Sequence, residues 1–212
     1  MPRVDTESFY RHALARYGEN AEGVHWRSTE SQQIRFAVLR DLLPSDLSRL
    51  SLVDVGCGLG DLHAFLAKRD DLPRQYIGLD AVQAMVERAR ARTGCAILHC
   101  DVLSDPLPAA DWYLASGAMA LLTHEETGLF IERCLGAARS GLVFNLLRGS
   151  HASMTFNYLM PETIEAWAAE RNLSLRIVDG YLSGDFSVAM THPQHESPGA
   201  EGGNQRSAEG FC

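Results

Sequence analysis

The chain has 212 residues, of which 46% are hydrophobic, and a formal net charge of −8 at pH 7. This length and composition predict a single domain built around one hydrophobic core. The negative charge argues against a polyanion such as DNA or RNA as the main partner, because its phosphates would be repelled.

The first fifty residues predict a helical cap and not a separate domain. Residues 5–20 place apolar side chains at helical spacing and reach a plausible stop at Gly18. A second helix begins at Thr29-Glu30-Ser31-Gln32, which fits the capping box S/T-x-x-E/Q, and ends at Pro44. Because so short a segment cannot bury its own core, we expect residues 1–50 to lie over one edge of the sheet that follows.

Strands and helices alternate from residue 51 onward. Short apolar runs predict the strands, and apolar residues at i, i+3 and i+4 predict the helices between them. The expected strands are 51–55, 75–79, 95–99, 111–116 and 142–147, and the expected helices are 60–69, the segment after Asp80, and the segment from the capping box Thr123–Glu126 to about Ala138. This alternation predicts a parallel sheet.

The closing elements and a polar tail complete the chain. Pro161 predicts the start of a helix that ends near Arg171. Two strands, 174–181 and 185–191, are joined by a short turn and should pair antiparallel. The expected fold class is therefore α/β, with a seven-stranded, mostly parallel sheet, an antiparallel last strand and helices on both faces. We expect the domain to span residues 51–192 and the tail, 193–212, to be disordered because it has almost nothing to bury.

Cysteines and apolar segments bear on the location of the protein. The five cysteines form no Cys-x-x-Cys pair and their number is odd, which favours free thiols in a reducing compartment. No apolar stretch reaches the roughly 20 residues that a membrane span needs. Charged residues also interrupt the N-terminus where a signal peptide would be apolar. We therefore expect a cytoplasmic protein with no membrane partner.

A glycine-rich turn follows the first strand of the sheet. The sequence from Asp54 reads D-x-G-x-G-x-G, and its glycines are Gly56, Gly58 and Gly60. Glycine accepts positive φ and lacks the Cβ atom that would block close approach, so the turn predicts contact between backbone and a ligand. A dinucleotide fingerprint would have a further glycine at the next position, which is Asp61.

Carboxylates also follow the second and third strands. Asp80 lies 24 positions after Gly56, where an acidic residue can accept hydrogen bonds from ribose hydroxyls. Asp101 and Val102 would then flank an adenine. Because parallel strands end at one edge of the sheet, we expect Asp54, Asp80 and Asp101 to share a site. Local roles also fit, since Asp80 could cap the next helix and Asp101 could belong to a turn.

These motifs resemble those of the class I S-adenosylmethionine-dependent methyltransferases, of a small bacterial type. The resemblance covers residues 51 to about 147 and implies a Rossmann-like fold with S-adenosylmethionine as cofactor. It implies cofactor contacts for Asp54, Gly56, Cys57, Gly58, Gly60, Asp80, Ala81, Asp101, Val102, Ser116 and Gly117. More loosely, Trp26 and Arg35 resemble part of the family's N-terminal cap, where Arg35 could pair with the carboxylate of the cofactor.

Methyl transfer is a displacement at an activated sulfonium, so a protein chiefly has to align the acceptor, the methyl group and the sulfur. No N-P-P-Y-type signature follows the fourth strand, and no metal-ligand cluster is visible. The candidate catalytic side chains are Tyr158 and His124, although each also fits an ordinary packing or surface role. The acidic charge and the small accessory region favour a small-molecule methyl acceptor over a nucleic acid.

Three different functions remain open from the sequence. A non-catalytic scaffold could keep the cofactor pocket and bind a partner. Aminopropyl transfer from the decarboxylated cofactor would need more acids to hold a polyamine than Glu125 and Glu126 supply. A nicotinamide dehydrogenase is more distant, and NADH binding would support it.

Overall fold

The computed structural model describes residues 28–151 and 153–193, together with positions 7, 9, 16 and 18. Of the predicted helix 5–20, positions 7, 9 and 16 are helical, and Gly18 has a φ of 77°. Trp26 and residues 194–212, which include nearly all of the expected tail, lie outside the described residues. Within the described part of the chain, no helix combines the length and the apolarity that a membrane crossing requires.

From Ser28 onward the described residues form five helices and eight strands. The helices are α1 (Thr29–Asp41), α2 (Asp61–Ala67), α3 (Gln83–Thr93), α4 (His124–Ala137) and α5 (Pro161–Glu170). The strands are β1 (Ser51–Val55), β2 (Gln75–Asp80), β3 (Ala96–His99), β4 (Ala110–Ala115), β5 (Ala138–Arg148), β6 (Tyr158–Leu159), β7 (Ser174–Asp179) and β8 (Asp185–Thr191).

One sheet contains all of these strands. Its order is β3-β2-β1-β4-β5-β8-β7, and the first five strands of this order run parallel. The last strand, β8, pairs antiparallel with both β5 and β7. This topology confirms the predicted fold class. The two-residue strand β6, which pairs with the end of β5, was not predicted.

Helices cover both faces of the sheet because the side chains of its central strands alternate between two apolar layers. In β1, Val53 and Val55 face the layer that contains residues of α4 and α5. Leu52 faces the opposite layer, with residues of α1, α2 and α3. The strand is buried on both sides, as expected for the middle of a doubly covered sheet.

Two helix starts test the predicted capping boxes. The prediction at Thr29 is wrong by one residue, because the N-cap of α1 is Ser28, whose Oγ accepts a hydrogen bond from the Ser31 amide at 3.1 Å. The box at Thr123 is confirmed. Its Oγ accepts from the amide of Glu126 at 3.1 Å, and the Glu126 carboxylate accepts from the Thr123 amide at 2.9 Å.

The carboxyl edge of the sheet brings distant segments together. Strands β1, β2, β4 and β5 all end at this edge, and the antiparallel β8 begins there. The chain reverses its strand order between β1 and β4, which is where open α/β sheets bind ligands.

Candidate functional site

A cleft of about 530 Å³ opens at this carboxyl edge. Its volume lies in the range of sites for small organic molecules, roughly 300–1,000 Å³. The predicted site residues that line it are Arg35, Asp54, Gly56, Cys57, Gly58, Asp80, Ala81, Asp101, Val102, Ser116, Gly117 and Tyr158. The structure therefore brings most of the predicted residues together in one cavity.

The glycine-rich turn after β1 is hydrogen-bonded to β2. The amides of Gly56 and Cys57 both donate to the carbonyl oxygen of Leu79, at 2.8 and 3.0 Å. Gly56 has a φ of 68°, and a Cβ atom there would lie 2.7 Å from the Cβ of Ala118. Gly56 is therefore required for packing against the turn after β4, and the two amides are already used within the protein, while the glycine-rich turn still lines the cleft.

Asp80 connects this turn to the next helix. Its Oδ2 accepts a hydrogen bond from the Gly58 amide at 2.8 Å, and its Oδ1 accepts from the Val82 amide at 2.9 Å. Burial raises the pKa of Asp80, and these two backbone bonds oppose that rise. Asp80 does not cap α3, because the N-cap of that helix is Val82 and it has no side-chain cap; Asp80 bonds the amide of this N-cap residue, and the same carboxylate lines the cleft.

Asp54 is a buried acid near the end of β1. Its carboxylate accepts a hydrogen bond from the Tyr76 hydroxyl on β2, and the residue is 2% exposed. Burial, together with the charges of Asp80 and Asp61, raises the pKa of Asp54 to about 7 against the effect of the Tyr76 bond. Asp54 is therefore protonated in a substantial fraction of molecules at neutral pH.

The loop after β3 carries Asp101 and Val102 along the cleft. Asp101 Oδ1 accepts from the Leu103 amide at 3.0 Å, and its own amide donates to Asp105 at 2.8 Å. Arg133 of α4 donates from Nε to the Val102 carbonyl at 2.5 Å. The sequence pattern did not identify Arg133, because it lies on a helix about 30 residues away from the loop that it holds.

The turn after β4 contains a buried hydroxyl and a hydrogen-bonded amide. Ser116 Oγ is buried and has no hydrogen-bond partner among the described residues. The Gly117 amide donates to Asn145 Oδ1, on the neighbouring strand β5, at 2.7 Å. Asn145 also lines the cleft, and no sequence motif pointed to it.

Two polar contacts join α1 to opposite sides of the cleft. Arg35 forms an ion pair with Asp185 at the start of β8, and both side chains are almost fully buried. Three residues before Arg35, Gln32 Nε2 donates to Asp61 Oδ2 at 3.2 Å, at the start of α2. All four residues line the cleft, so α1 spans it. Asp185 is a further residue that sequence reasoning missed.

Three other candidates have ordinary surroundings. The Tyr158 ring lies 4.1 Å from the ring of His151, centroid to centroid, at one wall of the cleft. His124 does not line the cleft, and its Nε2 is 3.1 Å from the Tyr158 carbonyl oxygen. Burial raises the pKa of Cys57 far above that of a reactive thiol. The four described cysteines, at positions 57, 95, 100 and 134, are free thiols, as the sequence predicts.

Gly60 is the predicted turn residue that the structure keeps away from the cleft. Its φ is 77°, and a Cβ atom there would lie 2.5 Å from Thr93 Cγ2 and 3.8 Å from Ala89 Cβ. Thr93 and Ala89 both belong to α3. Gly60 is therefore required for packing between the turn and α3, and spacing alone could not separate this role from ligand contact.

We expect Gly60→Ala to lower the free energy of unfolding by about 2 kcal/mol, from the strain of a positive φ and from the contact with Thr93. Adding Thr93→Ser removes the methyl group but keeps the hydroxyl, which bonds Ala89 O at 2.7 Å. The double variant should recover part of the loss in urea denaturation. An equal loss in both variants would show that the collision contributes nothing.

Comparisons with known proteins agree with this geometry. Residues 52–141 match a family model described as a methyltransferase domain. No curated protein matches the chain in sequence.

Several solved structures share the fold. Magnesium protoporphyrin IX methyltransferase from Synechocystis, with bound SAH, aligns with a TM-score of 0.67 and 15% identity over 88% of this chain and 95% of that chain. DhpI, in complex with SAM and HEP, aligns with a TM-score of 0.68 and 14% identity over 86% and 94%. An S-adenosylmethionine-dependent methyltransferase from Mesorhizobium loti aligns with a TM-score of 0.59 and 16% identity over 75% and 98%.

Proposed function

We propose that this chain, a class I methyltransferase that uses S-adenosylmethionine, transfers the methyl group to a small-molecule acceptor. One observation carries the proposal: the glycine-rich turn, the strand-end acids and the turn after β4 all line one cleft. When bound there, S-adenosylmethionine supplies a methyl group on a positively charged sulfur.

The residues present fit that cofactor. The cleft has room for it, and the buried Ser116 Oγ lacks a partner among the described residues, so a ligand can supply one. We assign Asp80 to the ribose, Asp101 with Val102 and Ala81 to the adenine, and the turn of Gly56, Cys57 and Gly58, with Asp54, to the methionine end. Gly117 borders the methyl group beside Ser116. Gly60 supports the turn through α3 instead of touching the ligand.

The charge of the cleft supports a small acceptor that is not rich in phosphate. Among the described residues that line it, Arg35 is the only cation, and the acidic side chains are Asp54, Asp61, Asp80, Asp101 and Asp185. A phosphate-rich acceptor would meet repulsion from these carboxylates. Apolar side chains such as Leu147 and the 38% exposed Phe156 line the part near β5 and β6, which suits an organic molecule with an apolar body.

Catalysis in this proposal comes mainly from alignment. No histidine or lysine is among the described residues that line the cleft, and the Asp185 carboxylate is already paired with Arg35. An acceptor that ionises by itself, such as a thiol or a phenol, needs no base, and holding it in line with the methyl group supplies most of the rate. Tyr158 lines the cleft and remains the candidate for contact with the acceptor. His124 does not line the cleft.

The test is isothermal titration with S-adenosylmethionine and S-adenosylhomocysteine, followed by a methyl-release assay on a metabolite panel. We expect both compounds to bind and at least one acceptor to be methylated. Binding without turnover on any acceptor would favour a non-catalytic scaffold. Transfer of an aminopropyl group would favour an aminopropyltransferase, and binding of NADH in place of these compounds would favour a dehydrogenase.

Arg35 allows a sharper test of the methionine end. If its guanidinium holds the carboxylate of the cofactor, Arg35→Ala should weaken the affinity for S-adenosylmethionine about 10-fold, as for a lost charged hydrogen bond. The matched control is Asp185→Asn, which breaks the ion pair but keeps the guanidinium. This control should bind as tightly as the wild type or more tightly. Unchanged affinity in a folded Arg35→Ala variant would remove Arg35 from the site.

A reducing compartment fits the free thiols of the four described cysteines. We therefore propose a cytoplasmic location.

We also propose that residues 1–50 form a cap and that residues 51–192 form the catalytic domain.

A further inference from the structure

A buried asparagine lies beneath the part of the cleft where β4 and β5 end. Asn145 is 4% exposed and lines the cleft. Its Oδ1 accepts a hydrogen bond of 2.7 Å from the Gly117 amide. Gly117 has a φ of 72°, so it lies in a tight turn directly after Ser116. The bond therefore joins the middle of the sheet to the turn that borders the cleft.

Strand β8 pairs with β5 beside Asn145. Ser187 lies opposite Asn145 in this antiparallel pairing, and its Oγ is 2.8 Å from the Tyr181 hydroxyl. The hydroxyls of Tyr181 and Ser187 therefore bond each other, while the side-chain oxygen of Asn145 bonds the turn after β4.

The donor on Gly117 fixes which end of the Asn145 amide faces the turn. A reversed amide would place its own N–H groups against the Gly117 N–H and leave that donor without an acceptor. Because Asn145 is 4% exposed, solvent competes little for this bond.

We propose that Asn145 is a positioning residue that holds the turn at Ser116 and Gly117 against the bound cofactor. The inference rests on the proposed function, because it takes this turn as a wall of the S-adenosylmethionine site. It gives β5 a part in binding a cofactor that otherwise rests on the ends of β1, β2, β3 and β4.

The test compares four proteins, the wild type and three variants, by isothermal titration with S-adenosylmethionine and S-adenosylhomocysteine. Asn145→Leu has a similar volume and no acceptor for Gly117, so affinity should fall about 10-fold or more. Asn145→Asp keeps the acceptor and should stay within about threefold of the wild type. Asn145→Ala also lacks the acceptor for Gly117, in a smaller side chain, and its affinity should fall to a similar degree.

A control separates positioning from general stability. Ser51 Oγ bonds Asp111 Oδ2 at 2.7 Å, at the opposite edge of the same sheet. Ser51→Ala should lower the unfolding temperature without changing affinity.

Three results would overturn the inference. One is wild-type affinity in a folded Asn145→Leu variant, and another is an equal loss in Asn145→Leu and Asn145→Asp. If Asn145→Leu does not fold, Asn145→Ala decides, and wild-type affinity in that variant would count against the inference. A wild-type protein that binds neither compound would contradict the proposed function and this inference with it.

Discussion

Asp80→Ala is expected to weaken binding of S-adenosylmethionine by about 10- to 100-fold, as isothermal titration would measure it. The substitution removes a buried carboxylate from the position that we assign to the ribose, and such a loss costs roughly 1–3 kcal/mol. It also leaves the amides of Gly58 and Val82 without the acceptors that now lie at 2.8 and 2.9 Å. The glycine-rich turn and the start of α3 then lose their shared anchor.

The same variant should therefore lose stability, by about 2 kcal/mol in urea denaturation, because two backbone donors are unpaired. A matched control is Asp46→Ala, since Asp46 Oδ1 likewise accepts a backbone bond, from Ser48 at 2.8 Å, but is exposed and lies outside the cleft. Asp46→Ala should bind the cofactor normally. If Asp80→Ala also binds normally, the ribose does not lie at Asp80.

A second large effect is expected from Asp54, through pH. The pKa of Asp54 is about 7 in the folded protein and 3.8 as an ordinary side chain. Between these two pH values, the folded state keeps a proton on Asp54 that the unfolded state has released. The contribution of this group to stability is complete below about pH 4 and is lost as pH rises to about 7. The difference in pKa corresponds to roughly 4 kcal/mol, an upper bound for a buried group.

Asp54→Asn should remove this dependence. The amide side chain keeps an oxygen that can accept the Tyr76 hydrogen bond, and it never ionises. The measurement is the unfolding free energy of both proteins in urea from about pH 4.5 to 8.5, without added cofactor. The stability of the variant relative to the wild type should increase as pH rises toward 7 and then level off. A stability difference that is constant with pH would show that the pKa of Asp54 is the same in the folded and unfolded protein.

The elements of the sheet could be predicted because they depend on local sequence patterns. The run Ser51–Val55 contains three apolar residues, two of them β-branched, and a proline within a helix fits only its first turn, so both elements are recognisable without the fold. By contrast, Tyr158 and Leu159 form a strand only because the end of β5 is available beside them. The start of α1 was misplaced because Ser28 and Thr29 are both good capping residues, and Gln32 bonds Asp61 in the folded protein.

The candidate site could be predicted where it depends on order along the chain. Asp54, Asp80 and Asp101 follow successive strands, and the parallel sheet necessarily brings such positions to one edge. Asn145, Asp185 and Arg133 act through contacts between distant elements, which no spacing in the sequence reports. Gly60 is the opposite case. Its place in the motif predicts contact with a ligand, but in the structure it packs against α3.

The bonds between the glycine-rich turn and β2 have a consequence for exchange of product and fresh donor. Gly56 and Cys57 share the Leu79 carbonyl, and Gly58 is held by Asp80, so the protein's own hydrogen bonds hold the loop in this shape. Little ordering entropy is then lost at each new encounter. Amide protons of these three residues should exchange slowly with solvent in the empty enzyme and nearly as slowly in the loaded one.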